Sequence, residues 1–297
     1  MGKGTRNRAQ SARQRIAEQQ AAARRAERRR QVLLSVGAVV VVVAVVVVFV
    51  VIKATSGGSS GNTASGGVNG TLLPASVQND IRTVPDSALQ TVGTGSVPSY
   101  NPKPITTIKG TSLTSGGKPQ MLYIGAEFCP YCAAMRWSMA VALSKFGTLS
   151  PLHGIHSSST DTDPSTPTLT FYKTTYTSKY LTFTPVENET ISHAPLQNTT
   201  SAQQAVWVKY SPPNQLGYPF IDFGNRYLIN GPQFDPAVLS GLTWAQVAQQ
   251  MHDPSSIVAK GVLGAANYIT AAICKITNNA PASVCSAPAV TAMEGKL

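Results

Sequence analysis

Cysteine and histidine are scarce in this chain of 297 residues, which contains four of each. A structural zinc site usually takes four Cys or His ligands that come in close pairs. One C-x-x-C pair is present, Cys129 and Cys132, without an accompanying H-x-x-x-H pair. His153 and His156 are three residues apart on a predicted strand, so they point to opposite faces. The sequence therefore disfavours a metal site and predicts no cofactor.

Acidic residues are also few, with 13 Asp and Glu against 24 Lys and Arg, and the net charge is +11. Such a charge is typical of proteins that bind nucleic acids. The excess is local, because residues 1–31 carry +8 and the stretch from Ala54 onward carries only +2. Nucleic-acid binding by the arm stays a minor alternative, and we expect no nucleic-acid partner for the rest of the chain.

One long stretch lacks charge altogether: residues 32–52, in which 13 of 21 residues are Val. About 20 apolar residues, rising about 1.5 Å each, span the roughly 30 Å hydrocarbon core of a bilayer. Val favours strands in water, but lipid requires every backbone group to be satisfied within the segment, so we predict a transmembrane helix. A cleaved signal peptide is the alternative, although its apolar region is typically about 7–15 residues and IKATSGG is a poor cleavage site.

The flanking charges predict the topology and the organisation of the chain. Basic residues directly before the apolar run favour a cytoplasmic N-terminus and an extracytoplasmic C-terminal part. We therefore expect a basic cytoplasmic arm in residues 1–31, a single membrane helix in 32–52, a Gly/Ser-rich tether in 53–70 and a folded domain in 71–297.

The folded domain alternates patterns typical of strands and helices, without an internal repeat. The run MLYIGAEF predicts a strand that leads to Cys129. After it, Met135, Met139, Leu143 and Phe146 recur at helical spacing, and Trp137 and Met135 are predicted in the core.

Further elements are predicted on both sides of this unit. Two short helices are expected before it, in PASVQNDIRTV and PDSALQTVG. Strands are expected after it in LHGIHSSS, TLTFYK and KYLTFTPV, and a helix capped by Thr199 or Thr200 contains AQQAVWVKY. Apolar residues around Gly224 and Asn225 predict a tight hairpin. Thr243 caps TWAQVAQQM, and a longer helix is predicted from Pro254 to Cys274.

The four cysteines allow three pairings, and spacing favours Cys129 with Cys132 and Cys274 with Cys285. In an oxidising compartment the second pair would close the loop ICKITNNAPASVC at the end of the last helix. A loop of that length contributes up to roughly 3 kcal/mol, so a structural disulfide is predicted.

The first pair has a different setting, at a strand-to-helix turn. A thiolate at a helix N-terminus faces unpaired N–H groups and the positive end of the helix dipole, so its pKa falls. Cys129 is expected to attack, and Cys132, one turn inside, to resolve a mixed disulfide. Pro130 fits the first helical position.

The motif FCPYC resembles the active site of thioredoxin-fold oxidoreductases; glutaredoxins have Cys-Pro-Tyr-Cys and periplasmic disulfide oxidases have Cys-Pro-x-Cys. The resemblance implies an α/β thioredoxin-like fold, here with extra helices, and a cis-proline opposite the cysteines. Pro219 in GYPFIDFGNRY has the matching position, so the Tyr218–Pro219 bond is predicted to be cis, with an ordinary trans proline as the alternative. The sequence departs from thioredoxin in that Phe128 replaces the usual Trp and Tyr123 is the nearest equivalent of an acidic residue on the preceding strand.

The segments KPQMLYIGAEFCPYCAAMRW, SKFG and YLTFTPVE, with the late cysteine pair, resemble an uncharacterised exported family, domain of unknown function 929. The resemblance covers about residues 72–290. It implies a fold but no substrate.

Glu127 is the acidic residue beside the motif, and it is a candidate proton acceptor for Cys132, a role that requires a raised pKa. A solvated carboxylate or one paired with Arg136 is the alternative. Glu187 is a weaker candidate to face the site.

These features predict a membrane-anchored extracytoplasmic thiol–disulfide oxidoreductase acting on protein thiols and disulfides, with Pro219 shaping the client groove. A membrane redox partner is compatible with that function. The alternatives are a non-catalytic binding or assembly module and an exported metallochaperone.

Overall fold

The computed structural model describes residues 70–213 and 215–297, which form a mixed α/β structure. The predicted cytoplasmic arm, membrane helix and almost all of the tether lie outside the described residues. The strands are β1 (Thr71–Leu72), β2 (Thr106–Thr107), β3 (Thr114–Ser115), β4 (Lys118–Gly125), β5 (Gly147–Ser150), β6 (His153–His156), β7 (Pro167–Thr170), β8 (Thr175–Ser178), β9 (Thr182–Glu187), β10 (Phe220–Phe223) and β11 (Tyr227–Asn230). The helices are α1 (Ala75–Arg82), α2 (Asp86–Val92), α3 (Val97–Tyr100), α4 (Pro130–Ser144), α5 (Ser201–Tyr210), α6 (Trp244–Gln250), α7 (Ile257–Ile276), α8 (Ala282–Cys285) and α9 (Pro288–Glu294), with a 3₁₀ turn at Pro236–Leu239.

The central sheet is built around β4. It pairs with β9 in parallel and with β10 in antiparallel orientation, and β11 and β2 extend the sheet beyond β10. The short β3 pairs with the first residues of β4. Two smaller sheets, β1–β6–β7 and β5–β8, lie outside this one.

Both faces of β4 are buried, which explains why its sequence is an apolar run. Side chains alternate between the faces of a strand. Met121 and Tyr123 belong to the main core, which α4 and α7 also line. Leu122 and Ile124 belong to a second core, which Trp207 of α5 completes. The strand therefore holds the cysteine turn at its end on a support that is fixed from two sides.

Side-chain caps fix where several helices begin. Thr200 and Thr243 each form a capping box with the Gln three residues later, at the N-termini of α5 and α6. Caps of this kind contribute about 1 kcal/mol each. The longer helix predicted from Pro254 begins instead at Ile257, because the Ser256 hydroxyl accepts the Ala259 N–H at 2.9 Å and acts as the cap.

Helix α7 packs against α4 and forms the centre of the main core. By length and hydropathy it is the one helix in the described part of the chain that could cross a membrane, but 89% of its apolar window is buried inside the protein. Its apolar character is accounted for by that burial.

The hairpin predicted around Gly224 and Asn225 is confirmed, since it joins β10 to β11. Both residues have positive φ angles, 64° and 57°, which Gly and Asn tolerate. The N–H of Asn225 donates to Asp222 Oδ1 at 2.6 Å, which closes the turn.

Some elements have no counterpart in the sequence-based prediction. They are the helices α3, α8 and α9, the 3₁₀ turn, and the strands β1, β3, β5 and β8. All of these except α9 have four residues or fewer, too few to produce a hydrophobic period, so the pattern of apolar residues carries no signal for them.

Candidate active site at the Cys129–Cys132 turn

The C-x-x-C turn joins β4 to α4. Cys129 is the N-cap residue of α4 and has an extended backbone conformation, and Pro130 takes the first helical position. The backbone N–H of Cys132 donates to Cys129 Sγ at 3.3 Å. Cys129 therefore stands at the helix N-terminus, as the sequence predicts, with an unpaired N–H group of the first turn directed at its sulfur.

The surroundings separate the two thiols electrostatically. Both are free thiols in this structure. The pKa of Cys129 is lowered chiefly by a hydrogen bond from the Cys132 thiol, with help from backbone N–H groups and from the charge of Arg136, against the opposing effect of burial. The pKa of Cys132 is raised well above its ordinary value, first by burial and then by its hydrogen bond to Cys129. Of the two thiols, Cys129 therefore loses its proton more readily, and Cys132 keeps its proton more firmly.

Cys129 is more covered than a freely accessible nucleophile. It is 4% exposed, and Cys132 is fully buried. The partly buried rings of Phe128, Tyr131 and Tyr218 pack around the two cysteines. A reacting sulfur must therefore approach Cys129 between these rings.

A buried ion pair lies one helical turn below Cys132. Arg136 of α4 donates from Nε and Nη2 to the two carboxylate oxygens of Glu187, at 2.8 and 2.7 Å. Nη2 also donates to the carbonyl of Ala126 at 2.7 Å. Both charged side chains are fully buried. The positive charge is held beside the thiols by a bidentate contact that fixes the guanidinium plane.

Glu127 is also fully buried, so the solvated alternative for this residue is wrong. Its Oε1 accepts a hydrogen bond from Thr170 Oγ1 at 2.7 Å, and its backbone N–H donates to the carbonyl of Glu189 at 2.9 Å. The proposed role as proton acceptor for Cys132 stays a prediction.

Pro219 directly precedes β10, the antiparallel neighbour of β4. The Tyr218–Pro219 bond is cis, as predicted; the Ser150–Pro151 and Ala280–Pro281 bonds are also cis and were not predicted. Tyr218 packs against the cysteine cluster and stacks on Trp207, with ring centroids 5.3 Å apart. Its hydroxyl accepts a hydrogen bond from Asn188 Nδ2 at 3.0 Å. The residue before Pro219 thus forms part of the wall around the thiols.

The segment after β9, residues 188–199, forms another part of the wall around the thiols. Within it the His193 ring lies over Phe128, with centroids 3.9 Å apart, and its Nδ1 is 3.8 Å from Glu189 Oε2. An open groove of about 650 Å³ runs between this segment and Tyr218. His193 therefore stands at the edge of the site.

Residues 104–275 match the family model described as "Domain of unknown function (DUF929)", which is more than half of the chain. The chain belongs to this family. The match is narrower than the 72–290 expected from the sequence, but it contains Cys129, Cys132 and Pro219. A comparison with curated proteins and with solved structures finds no match.

The DUF929 match ends between the two cysteines of the second pair, so it contains Cys274 but not Cys285. Cys274, near the end of α7, forms the predicted disulfide with Cys285 at the end of α8, with Cα atoms 5.6 Å apart. In the described residues of this DUF929 chain, no three His, Cys, Asp or Glu side chains converge as they would around a metal ion.

Sequence reasoning underestimated two residues of the DUF929 site, Arg136 and Glu187. The sequence suggests Arg136 only as an ion-pair partner for Glu127, and Glu187 only as a weaker candidate to face the site. The usable signal was an Arg four residues after Cys132 in an otherwise apolar helix, since a charge on a buried face needs a partner.

Proposed function

We propose that this protein is a membrane-anchored thiol–disulfide oxidoreductase whose folded domain faces the extracytoplasmic space. The observation that carries the proposal is the asymmetry of the cysteine pair. Cys129 has a lowered pKa at a helix N-terminus, and Cys132, whose pKa burial raises, lies fully buried behind it. Reactive cysteines are found in such electropositive positions, whereas purely structural ones are not.

The connectivity around the pair supports a thioredoxin-like scaffold for this function. β4, α4 and β9 form a parallel strand–helix–strand unit, the antiparallel hairpin β10–β11 follows on the far side of β4, and α7 then covers the sheet. The cis Tyr218–Pro219 bond at the start of β10 agrees with the resemblance of FCPYC to the thioredoxin-fold motif.

The reaction is a two-electron exchange. The Cys129 thiolate attacks a client disulfide, forms a mixed disulfide and releases the first client sulfur, which takes up a proton. Cys132 then loses its proton and attacks Cys129 Sγ, so that the second client sulfur leaves and is protonated in turn. The client gains two electrons and two protons, and Cys129 and Cys132 become a disulfide; the reverse sequence oxidises a client.

Membrane anchoring belongs to the same proposal. Its support is the uncharged run of residues 32–52 and the basic residues that precede it. The Gly/Ser-rich composition of residues 53–70 predicts a tether with a reach of roughly 20–25 Å, at about 5–6 Å per square root of residue number. The domain would then act on clients close to the membrane surface.

Replacement of Cys129 by Ser tests the proposal. We expect the wild-type protein to reduce insulin or to reoxidise reduced ribonuclease, and Cys129→Ser to abolish the activity, because no nucleophile then forms. Cys132→Ala should accumulate client proteins on Cys129 in cells, and the double variant, as the matched control, should accumulate none. A wild-type protein inactive in both assays would contradict the proposal.

One observation favours a second function, a binding or assembly module. Cys129 is only 4% exposed, and a polar groove lies beside it. If the two cysteines form a permanent bond, a redox titration should give a potential below about −300 mV; a value near the glutaredoxin or oxidase range would favour chemistry.

A further inference from the structure

Tyr123 has an unusual position for a tyrosine. It lies in β4, its side chain is fully buried, and its ring contacts Phe171 edge-on with centroids 5.6 Å apart. Among the described residues its hydroxyl makes no hydrogen bond of good geometry; burial raises the pKa of the phenol most, and Cys132 lies close enough to contribute to that rise. A buried polar group without a partner costs free energy, so its retention calls for an explanation.

The phenol faces the Cys132 thiol across the space left by a glycine. A Cβ atom at Gly125 would overlap Tyr123 Oη and would stand 3.0 Å from Cys132 Sγ. The hydroxyl and the sulfur therefore border the same small space. The absence of a side chain at Gly125 allows the two groups to approach each other.

The partners of Cys132 change during the reaction. Before the reaction a hydrogen bond from the Cys132 thiol lowers the pKa of Cys129 and so favours a negative charge on Cys129. Once Cys129 is bonded to a client sulfur, that charge is gone, and Cys132 must become a thiolate in a buried position. A buried anion is expensive unless donors stabilise it.

Besides Cys129 and Tyr218, the charged and titratable groups around Cys132 come from three elements. Arg136 of α4 lowers the pKa of Cys132, but its charge is engaged by Glu187 of β9, which has the opposite effect. Tyr123 of β4 remains. Burial raises the pKa of Tyr123 well above its ordinary value, so the phenol keeps its proton and is a donor, not a base.

We propose that Tyr123 is a positioning residue whose phenol O–H donates a hydrogen bond to the Cys132 thiolate during resolution of the mixed disulfide. The inference rests on the proposed function. It assigns the uncommitted O–H to the step in which a donor is needed. The proton that Cys132 loses balances the one taken up by the departing client sulfur, and Tyr123 keeps its own.

A small aromatic disulfide, 5,5′-dithiobis(2-nitrobenzoate), tests the inference without a protein client. Attack by Cys129 releases one coloured thiol, and attack by Cys132 on the mixed disulfide releases the second. Cys132→Ala identifies the phases, because it should release only the first. We expect Tyr123→Phe to slow the second release about tenfold relative to the wild type and to leave the first release unchanged. The two proteins are compared at one pH, chosen below the pKa of Cys132.

The matched control is Tyr176→Phe, which removes another largely buried hydroxyl, one that donates to the Leu143 carbonyl. It should change neither phase. The thermal unfolding midpoint of reduced Tyr123→Phe should equal or exceed that of the wild type, because the deleted hydroxyl makes no hydrogen bond. If the role of Tyr123 were purely structural, the substitution would lower this midpoint and leave the second phase unchanged.

Three results would overturn the inference: an unchanged second phase, an equal slowing of both phases, or a wild-type protein that releases no second thiol. Its failure is distinguishable from that of the proposed function. A wild type that releases both thiols but neither reduces insulin nor oxidises ribonuclease would refute the client chemistry and still measure the effect of Tyr123.

Discussion

The two cysteine pairs are equally hidden, yet they differ in chemical character. Cys129 and Cys132 are 4% and 0% exposed, and Cys274 and Cys285 are 0% and 3% exposed. The first pair stands at a helix N-terminus above a buried Arg136, whereas the second links the end of an apolar helix to a short helix after it. Burial therefore does not distinguish the two pairs; the groups that surround each sulfur do.

The largest expected effect comes from breaking the ion pair below the first cysteine pair. Arg136→Met leaves Glu187 charged and buried, so we expect a loss of about 3–5 kcal/mol in the free energy of unfolding. The pKa of Cys129 should rise, because the positive charge that lowers it is gone. Denaturant unfolding and the pH dependence of Cys129 alkylation measure the two effects.

Two controls separate stability from thiol chemistry in this variant. Adding Glu187→Leu to Arg136→Met should restore much of the stability, as buried pairs replaced by apolar side chains often do, without restoring the low pKa of Cys129. Asp86→Asn breaks the ion pair with Lys145, in which the Asp86 side chain is 85% exposed, and should cost no more than about 1 kcal/mol. An Arg136→Met protein with wild-type stability would contradict the argument.

Removing the second cysteine pair should have the next largest effect. Cys274→Ser with Cys285→Ser opens a loop with a sequence separation of 11, and we expect a loss of up to about 3 kcal/mol in the free energy of unfolding. The alkylation rate of Cys129 should not change. If that rate fell with stability, the two pairs would not be independent.

An effect with a similar upper limit, but confined to high pH, concerns a titratable group outside both pairs. Asp222 in β10 is buried, its Oδ2 has no partner among the described residues, and burial raises its pKa from 3.8 to about 6. Folding favours the protonated form of Asp222. The stability that this preference contributes is therefore fully present below about pH 4 and is lost as the pH rises through 6. Because one pKa unit corresponds to about 1.4 kcal/mol, Asp222→Asn should stabilise the protein by at most about 3 kcal/mol at pH 8 and by little at pH 4.

Urea unfolding at the two pH values measures this difference. The pH dependence of Cys129 alkylation should be the same in wild type and Asp222→Asn, which would show that the pH response of the thiols is local to their turn. An equal stabilisation at both pH values would indicate a packing effect instead of a titration.

Short sequence patterns predicted those parts of the fold and of the site that depend on residues adjacent in sequence. The apolar run before Cys129, the Pro at the first helical position and the Gly224–Asn225 hairpin all express preferences of a few adjacent residues. The position of Pro219 came from a family resemblance, because no local rule gives the cis form of one particular proline.

Long-range pairings could not be predicted in the same way. Arg136 and Glu187 are 51 residues apart, and only the parallel pairing of β9 with β4 brings Glu187 to the end of the strand that leads to the cysteines. The same holds for Tyr123, whose relation to Cys132 depends on the space at Gly125. The partner of a buried polar group is chosen by packing, which the pattern of apolar residues does not specify.

The burial of Cys274 and Cys285 limits disulfide exchange between copies of this chain. Thiol–disulfide exchange needs an incoming sulfur to reach one end of the existing bond. Both ends of the Cys274–Cys285 bond are covered, and Cys129 itself is reached only between Phe128, Tyr131 and Tyr218. A thiol of another molecule therefore has little access to either sulfur of the Cys274–Cys285 bond, so burial protects this bond from exchange between copies of the chain.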